Sequence, residues 1–157
     1  LPLKLYKGMG LKIKKLSNTS YEIYCKTLKP IKKISTKEFP GYPTDLQAQL
    51  IATQLKSGLK SKVVENIFEN RFIHIPELRR FGANLSIKGN TVTIDKTSNL
   101  LGAEVMATDI RASFSLIIAA MMSKGKTVIN RIYHLDRGYE DFDLKLKKCG
   151  VNISRKK

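Results

Sequence analysis

Two Thr-Asp pairs stand at the head of apolar helical patterns in this chain, Thr44-Asp45-Leu46-Gln47-Ala48 and Thr108-Asp109-Ile110-Arg111-Ala112. A carboxylate in the first turn of a helix lies beside unpaired backbone N–H groups and stays ionised. It can bind a hydroxyl or accept its proton. It can equally serve the helix alone: Thr44 with Gln47 three residues on reads as a capping box, with Asp45 in the first turn. Three arginines accompany the carboxylates. Arg71 and Arg137 fall in matching loops, Glu69-Asn70-Arg71-Phe72 and Leu135-Asp136-Arg137-Gly138, and Arg111 sits at the start of the second helix. A guanidinium in such a place calls for a carboxylate or a phosphate. One reading pairs them locally, Arg137 with Asp136, Glu140 or Asp141, and Arg71 with Glu69. The other brings Asp45, Asp109, Arg71, Arg111 and Arg137 together on one anionic ligand. His74 and His134 have apolar neighbours and read as packed rings with satisfied hydrogen bonds.

The elements that must hold these residues repeat. Before the first pair, Phe39-Pro40-Gly41-Tyr42-Pro43 keeps the backbone out of regular structure, so the helix that follows starts abruptly and ends by Gly58. Each copy then runs from an apolar helix to a glycine, Gly58 or Gly125. A β-branched run follows (Val63–Ile67, then Thr127–Ile132), then the arginine loop and a second helix. That second helix ends at a glycine and passes into a strand, Phe81-Gly82-Ala83-Asn84-Leu85 and Cys149-Gly150-Val151-Asn152-Ile153. A third such ending, Met9-Gly10-Leu11-Lys12-Ile13, follows a helical pattern over residues 1–6. The three glycines are about 70 residues apart, a longer period than common solenoids show. Strands are expected at Leu11–Leu16, Tyr21–Lys26 and Ala103–Ala107, and a short extended segment at Ile31–Ser35. A hairpin is expected over Lys88-Gly89-Asn90. The helix Ile110–Met122 is apolar nearly all round and should be wrapped on every side. Met106, Met121 and Met122 read as core filler, and Pro76 suits a helical first turn.

At 157 residues the chain can bury a real core. No apolar run approaches the roughly 18 residues of a membrane span. The chain opens on Leu1 rather than Met, inside a helical pattern, which implies a part upstream. The net charge of +16 comes mainly from scattered lysines, such as Lys12 and Lys14 alternating along the strand Leu11-Lys12-Ile13-Lys14. That pattern marks a solvated sheet face rather than a nucleic-acid footprint, which would cluster basic residues on a known module or among stacking aromatics. Cys25 and Cys149 have no Cys or His at metal-ligand spacing and read as small core residues of a protein in a reducing cytoplasm.

Several stretches together closely resemble the C-terminal part of the UDP-N-acetylglucosamine enolpyruvyl transferase family, in the family's order. They are Pro43–Gln49, Phe68–Phe72, His74–Leu78, Gly102–Ala112 and Arg131–Glu140. The resemblance runs from about Leu5 to Ile153. It implies an α/β fold of repeated βαβαββ units, an inside-out α/β barrel with helices inside and sheets outside. Residues 1–157 would form one domain, the C-terminal part of a two-domain enzyme, with repeat boundaries near 30–38 and 96–102. It implies transfer of the enolpyruvyl group of phosphoenolpyruvate to the 3-hydroxyl of UDP-N-acetylglucosamine, the first committed step of peptidoglycan synthesis, without metal or organic cofactor. By the same resemblance Asp45 binds that hydroxyl and takes its proton, and the backbone at Ile67 touches the UDP-sugar. Arg137 lies at the phosphoenolpyruvate end of the cleft, while Arg71, Arg111 and Asp109 belong to the interdomain face. The family's general acid, usually a cysteine on a mobile loop, matches neither Cys25 nor Cys149. The expected partners are therefore the two substrates and a missing N-terminal half, and the chain by itself should be inactive. Three possibilities stand at this point: a piece of the transferase, a natural half that assembles with a separate partner, or a basic repeat protein that binds nucleic acid without catalysis.

Overall fold

The computed structural model describes residues 2–156. Helix α1 (Pro2–Gly8) leads into an antiparallel hairpin of β1 (Lys12–Lys15) and β2 (Tyr21–Tyr24). One complete βαβαββ unit follows. It comprises β3 (Lys33–Ser35), a 3-10 turn (Thr44–Leu46), α2 (Gln47–Gln54), β4 (Ser61–Val64), α3 (Ile75–Arg80), β5 (Leu85–Lys88) and β6 (Thr91–Ile94). The next unit begins with β7 (Glu104–Met106), α4 (Ile110–Met122), β8 (Val128–Asn130), α5 (Tyr133–Asp136) and α6 (Phe142–Lys148). In both units a helix links two parallel strands, β3 to β4 through α2 and β7 to β8 through α4. A parallel pair requires such a crossover. The hairpin β5–β6 then joins β4 through β6, giving the sheet order β3-β4-β6-β5.

Side-chain alternation sets the inner face. Ser61 and Val63 of β4, and Val92 and Ile94 of β6, point inward while their neighbours face out. Helices α2 and α4 pack against each other, so the helices lie between the sheets. Leu50, Ile51, Leu55, Ile75, Leu78, Phe81 and Leu116 share one core with the sheet. Full burial of a leucine or isoleucine of this kind contributes about 1.5–3 kcal/mol. Buried Gln54 ties the layers together, its Oε1 accepting from the Ile31 N–H (2.9 Å) and the Ser61 hydroxyl (3.1 Å). The repeat glycines Gly10, Gly82 and Gly150 all take positive φ, at 101°, 83° and 86°. A residue with a Cβ is strained there, so one kind of helix ending recurs three times.

Several expectations need correction. Residues 151–156 form no strand: their counterpart β5 is paired by β6, and no strand of the described residues lies opposite them. The strand expected over Val63–Ile67 stops at Val64, where Glu65 turns inward. Cys25 and Cys149 are exposed, not core, since Cys25 follows the outlying hairpin and Cys149 caps the end of α6. Met106 and Met121 are also exposed, and Met9 is the buried methionine. Helix α4 is not wrapped on every side. It buries Ala112, Ser113, Ser115, Leu116, Ile117 and Ala119, but Met121 faces out. The helical pattern at the start is confirmed from Pro2 onward, and Leu1 lies outside the described residues. The lysines of β1 are exposed, as the solvated-face reading expects, but so are Tyr21, Ile23 and Tyr24 of β2. No helix of the described residues is long and apolar enough to cross a membrane.

Candidate functional site

The two Thr-Asp pairs lead into adjacent helices, and the chain uses their carboxylates differently. Asp109 is a true cap. Its backbone is extended (φ −154°, ψ 171°), and one carboxylate oxygen accepts from the N–H of Arg111 (2.8 Å) and of Ala112 (3.0 Å). At Asp45 no capping occurs. Pro43 precedes a 3-10 turn, and neither that turn nor α2 has a side-chain cap. The capping box expected from Thr44 and Gln47 is absent, because the Thr44 hydroxyl donates to Glu65 and the Gln47 side chain is buried.

Asp45 is thus left for other partners. Its Oδ1 accepts from Nη1 of Arg71 (3.1 Å) and Nη1 of Arg111 (3.3 Å), while Arg111 also reaches Asp109 through Nε (3.4 Å). The side chain of Asp45 remains 72% exposed, against 27% for Asp109. The hydrogen bond from Arg71 holds the Asp45 carboxyl below its ordinary range, with Arg111 adding to the effect against a partial burial that opposes it. For Asp109 burial is the largest single influence and pushes upward. The backbone N–H groups of Ala112 and Arg111, with the Arg111 guanidinium, outweigh it, and the carboxyl lies below its usual value.

Between the starts of α2 and α4 lies a cleft of about 210 Å3, lined by Thr44, Gln47, Arg71, His74, Asp109 and Arg111 among others. His74 is 1% exposed, and its Nε2 has no hydrogen-bond partner. The satisfied ring expected from the sequence is therefore corrected. Burial, chiefly, lowers its pKa to about 4, so the ring is neutral at physiological pH. The buried Nε2 of Gln47 is likewise unpaired. These are polar atoms that a ligand or water in the cleft would satisfy. Among the described residues, no three His, Cys, Asp or Glu side chains come together as a metal site would require.

The local ion pairs expected for the arginines do not form. Arg71 meets Asp45 rather than Glu69, with its guanidinium 4.1 Å from the centre of the Phe68 ring. Asp136 is taken by Arg155, through a bidentate pair at 2.7 and 3.1 Å, and Glu140 pairs with Lys145. Arg137 is consequently exposed and without a carboxylate among the described residues. Its neighbour Gly138 lies so close to Ile110 that a Cβ there would overlap the isoleucine side chain, which sets the Arg137 loop against the start of α4. Ile67 lines a wider open groove of about 830 Å3, shared with Phe68 and Arg71. The structure therefore brings Asp45, Asp109, Arg71 and Arg111 into contact. It sets Ile67 on an adjoining groove and Arg137 by the first residue of α4. Glu65 is the residue that the sequence reading missed. Its signal was a lone carboxylate inside the β-branched run Val63-Val64-Glu65-Asn66-Ile67.

Comparisons with known proteins agree with this picture. Residues 3–146 match the sequence profile of EPSP synthase (3-phosphoshikimate 1-carboxyvinyltransferase). A UDP-N-acetylglucosamine 1-carboxyvinyltransferase from Pelagibacter ubique (strain HTCC1062) is 51% identical over 98% of the chain, which spans 36% of that protein. One from Rhodopseudomonas palustris (strain TIE-1) is 57% identical over 78% of the chain and 28% of its own length. The chain thus spans about a third of these relatives rather than the half expected. The enolpyruvyl transferase NikO from Streptomyces tendae superposes with a TM-score of 0.84 at 25% identity, covering 98% of this chain and 35% of NikO. A profile match across nearly the whole chain, with that superposition, shows that the chain belongs to the EPSP synthase family.

Proposed function

We propose that this chain supplies the carboxylate-and-arginine part of an enolpyruvyl transferase. The enzyme would join phosphoenolpyruvate to the 3-hydroxyl of UDP-N-acetylglucosamine, in the first committed step of peptidoglycan synthesis in the cytoplasm. The observation that carries the reading is the divergence of two equivalent carboxylates. Asp109 is consumed as a helix cap, whereas Asp45 is uncapped, mostly exposed and gripped by two guanidiniums.

In this reading Asp45 accepts the proton of the acceptor hydroxyl as its oxygen bonds to C2 of phosphoenolpyruvate. C3 gains a proton from an acid supplied by the remainder of the enzyme, giving a tetrahedral intermediate. Loss of a proton from C3 and departure of phosphate then restore the enol double bond. A carboxylate with two arginine donors is a weak base. When an anionic substrate draws Arg71 and Arg111 away, Asp45 loses those donors and its basicity rises where the hydroxyl must be deprotonated. The same guanidiniums then offset the charge of the bound anion, and Arg137, which pairs with no carboxylate of the described residues, contributes at the far end. Ile67, on the adjoining groove, would touch the sugar through its backbone. The reaction leaves Asp109 where it is, holding Arg111 and the start of α4.

The test is phosphate release from phosphoenolpyruvate in the presence of UDP-N-acetylglucosamine. The chain alone should stay at background, and a complete polypeptide carrying it should turn over only when the nucleotide sugar is present. Turnover by the isolated chain, or none by the complete polypeptide, would defeat the reading.

A further inference from the structure

Glu65 immediately follows β4 and is 2% exposed, yet no lysine or arginine of the described residues pairs with it. An unpaired buried carboxylate is strongly unfavourable unless hydrogen bonds replace its water. Four donors do so. Oε1 accepts from the Thr36 hydroxyl (2.8 Å), the Ile67 N–H (2.9 Å) and the Phe68 N–H (3.3 Å), and Oε2 accepts from the Thr44 hydroxyl (2.8 Å).

The directions of both hydroxyls are forced. A threonine hydroxyl has one proton to give. Thr36 Oγ1 also receives the backbone N–H of Asn66 (2.8 Å), and Thr44 Oγ1 receives Nη1 of Arg71 (3.2 Å). Those two groups can only donate, and the Val64 carbonyl, 3.5 Å from Thr36 Oγ1, is a far poorer acceptor than the Glu65 carboxylate at 2.8 Å, so each hydroxyl spends its own proton on Glu65. Thr44 therefore presents a lone pair to Arg71, and the same Nη1 goes on to Asp45 at 3.1 Å. Glu65 also fixes Arg71 from a second side. It holds the backbone of Phe68, whose ring lies against the Arg71 guanidinium. The groups pinned by this one carboxylate come from the end of β3, the start of the Thr44 turn and the loop after β4.

We propose that Glu65 is a positioning residue for the transfer reaction: through Thr44 and Phe68 it holds Arg71 beside Asp45, where an incoming anion meets the guanidinium and takes it over, and it sets the backbone at Ile67. The part of this that concerns catalysis rests on the function proposed above. The part that concerns Arg71 does not, and the two can be tested separately. Glu65→Gln replaces one acceptor oxygen with an NH2 group. Three donors converge on Oε1 and one on Oε2, so the NH2 should face Thr44. The hydroxyl would then turn its proton toward Arg71, which loses its acceptor.

In the chain itself, NMR of the arginine side chains reports rotation about the Arg71 Nε–Cζ bond. That rotation should be slow in the parent and fast in both Glu65→Gln and Thr44→Val, and it should return toward slow in Thr44→Ser, which keeps the hydroxyl. In a complete polypeptide, Glu65→Gln and Thr44→Val should each lower kcat about tenfold or more, and the double variant should be no worse than either single change. Thr44→Ser should recover most of the rate lost in Thr44→Val. Unchanged Arg71 rotation, or losses in kcat that simply multiply in the double variant, would overturn the proposal. If Glu65→Gln fails to fold, Thr44→Val, at a half-buried site, carries the same test. If the complete polypeptide shows no transferase activity, the functional reading fails, while the Arg71 signal still decides the role of Glu65.

Discussion

Truncating the two equivalent aspartates separately should have opposite consequences for stability and for chemistry. Asp109→Ala removes the acceptor for two backbone N–H groups at the start of α4, at 2.8 and 3.0 Å. Losing a cap of this kind costs about 1 kcal/mol. In a domain of this size that lowers Tm by roughly 2–4 °C. Asp45→Ala removes no cap. It removes two ion pairs on a side chain that is 72% exposed. Solvent-screened pairs of this sort contribute about 0.2–1 kcal/mol, and the two arginines can relax toward Asp109 or water. The expected change for Asp45→Ala is therefore about 0.5 kcal/mol or less, with Tm within roughly 1–2 °C of the parent. Calorimetry of both variants at neutral pH and 0.15 M salt makes the comparison on the chain alone. If Asp45→Ala falls as far as Asp109→Ala, then Asp45 is structural, and the contrast between the two sites has been misread.

Two further outcomes follow from charge. Burial keeps His74 neutral down to about pH 4, whereas in the unfolded chain it titrates near 6.5. Between those values the unfolded state binds the additional proton. Stability should thus fall as pH drops from about 6.5 to about 4, by on the order of 3 kcal/mol. The carboxyls of Asp45 and Asp109 are shifted down from 3.8, so their stabilising effect is lost only below that window. Urea titrations across the window should show a flatter acid limb in His74→Leu, and an unchanged slope would refute the assignment. The net charge of +16 should give weak DNA binding that ignores sequence and vanishes steeply with salt. Fluorescence anisotropy showing tight, sequence-selective binding at physiological salt would point to a nucleic-acid function instead.

The repeat was legible because its markers are backbone-determined. Glycines at positive φ and a hairpin over Lys88-Gly89-Asn90 leave a signature that does not depend on distant partners. The meeting of Asp45 with Arg71 and Arg111 was legible as one of two options, since charged side chains of matching loops had to find some partner. What could not be read was the choice. Thr44 followed by Gln47 satisfies a local capping rule, but Glu65, 21 residues away, takes the hydroxyl. The Thr-Asp pairs themselves do not distinguish Asp45 from Asp109; the 3-10 turn after Pro43, which leaves Asp45 without a capping role, and the position of Arg71 do. The expected burial of Cys149 failed for a related reason. Its repeat counterpart Phe81 is buried in a core that includes Leu85, Val92 and Ile94 of the β5–β6 hairpin, and no such hairpin follows α6 among the described residues. Patterns of residue type show which face of an element can be buried, but whether it is buried depends on what stands opposite.

The proposed transfer requires Asp45 as the proton acceptor. In a complete polypeptide, Asp45→Asn keeps the shape and a hydrogen-bonding oxygen but cannot take a proton at neutral pH. Turnover in the phosphate-release assay should fall by roughly a hundredfold or more, with the fold intact and little change in UDP-N-acetylglucosamine affinity. Asp109→Asn, measured alongside, should change turnover far less. Near-parental turnover in Asp45→Asn, or equal small losses at both sites, would contradict the account.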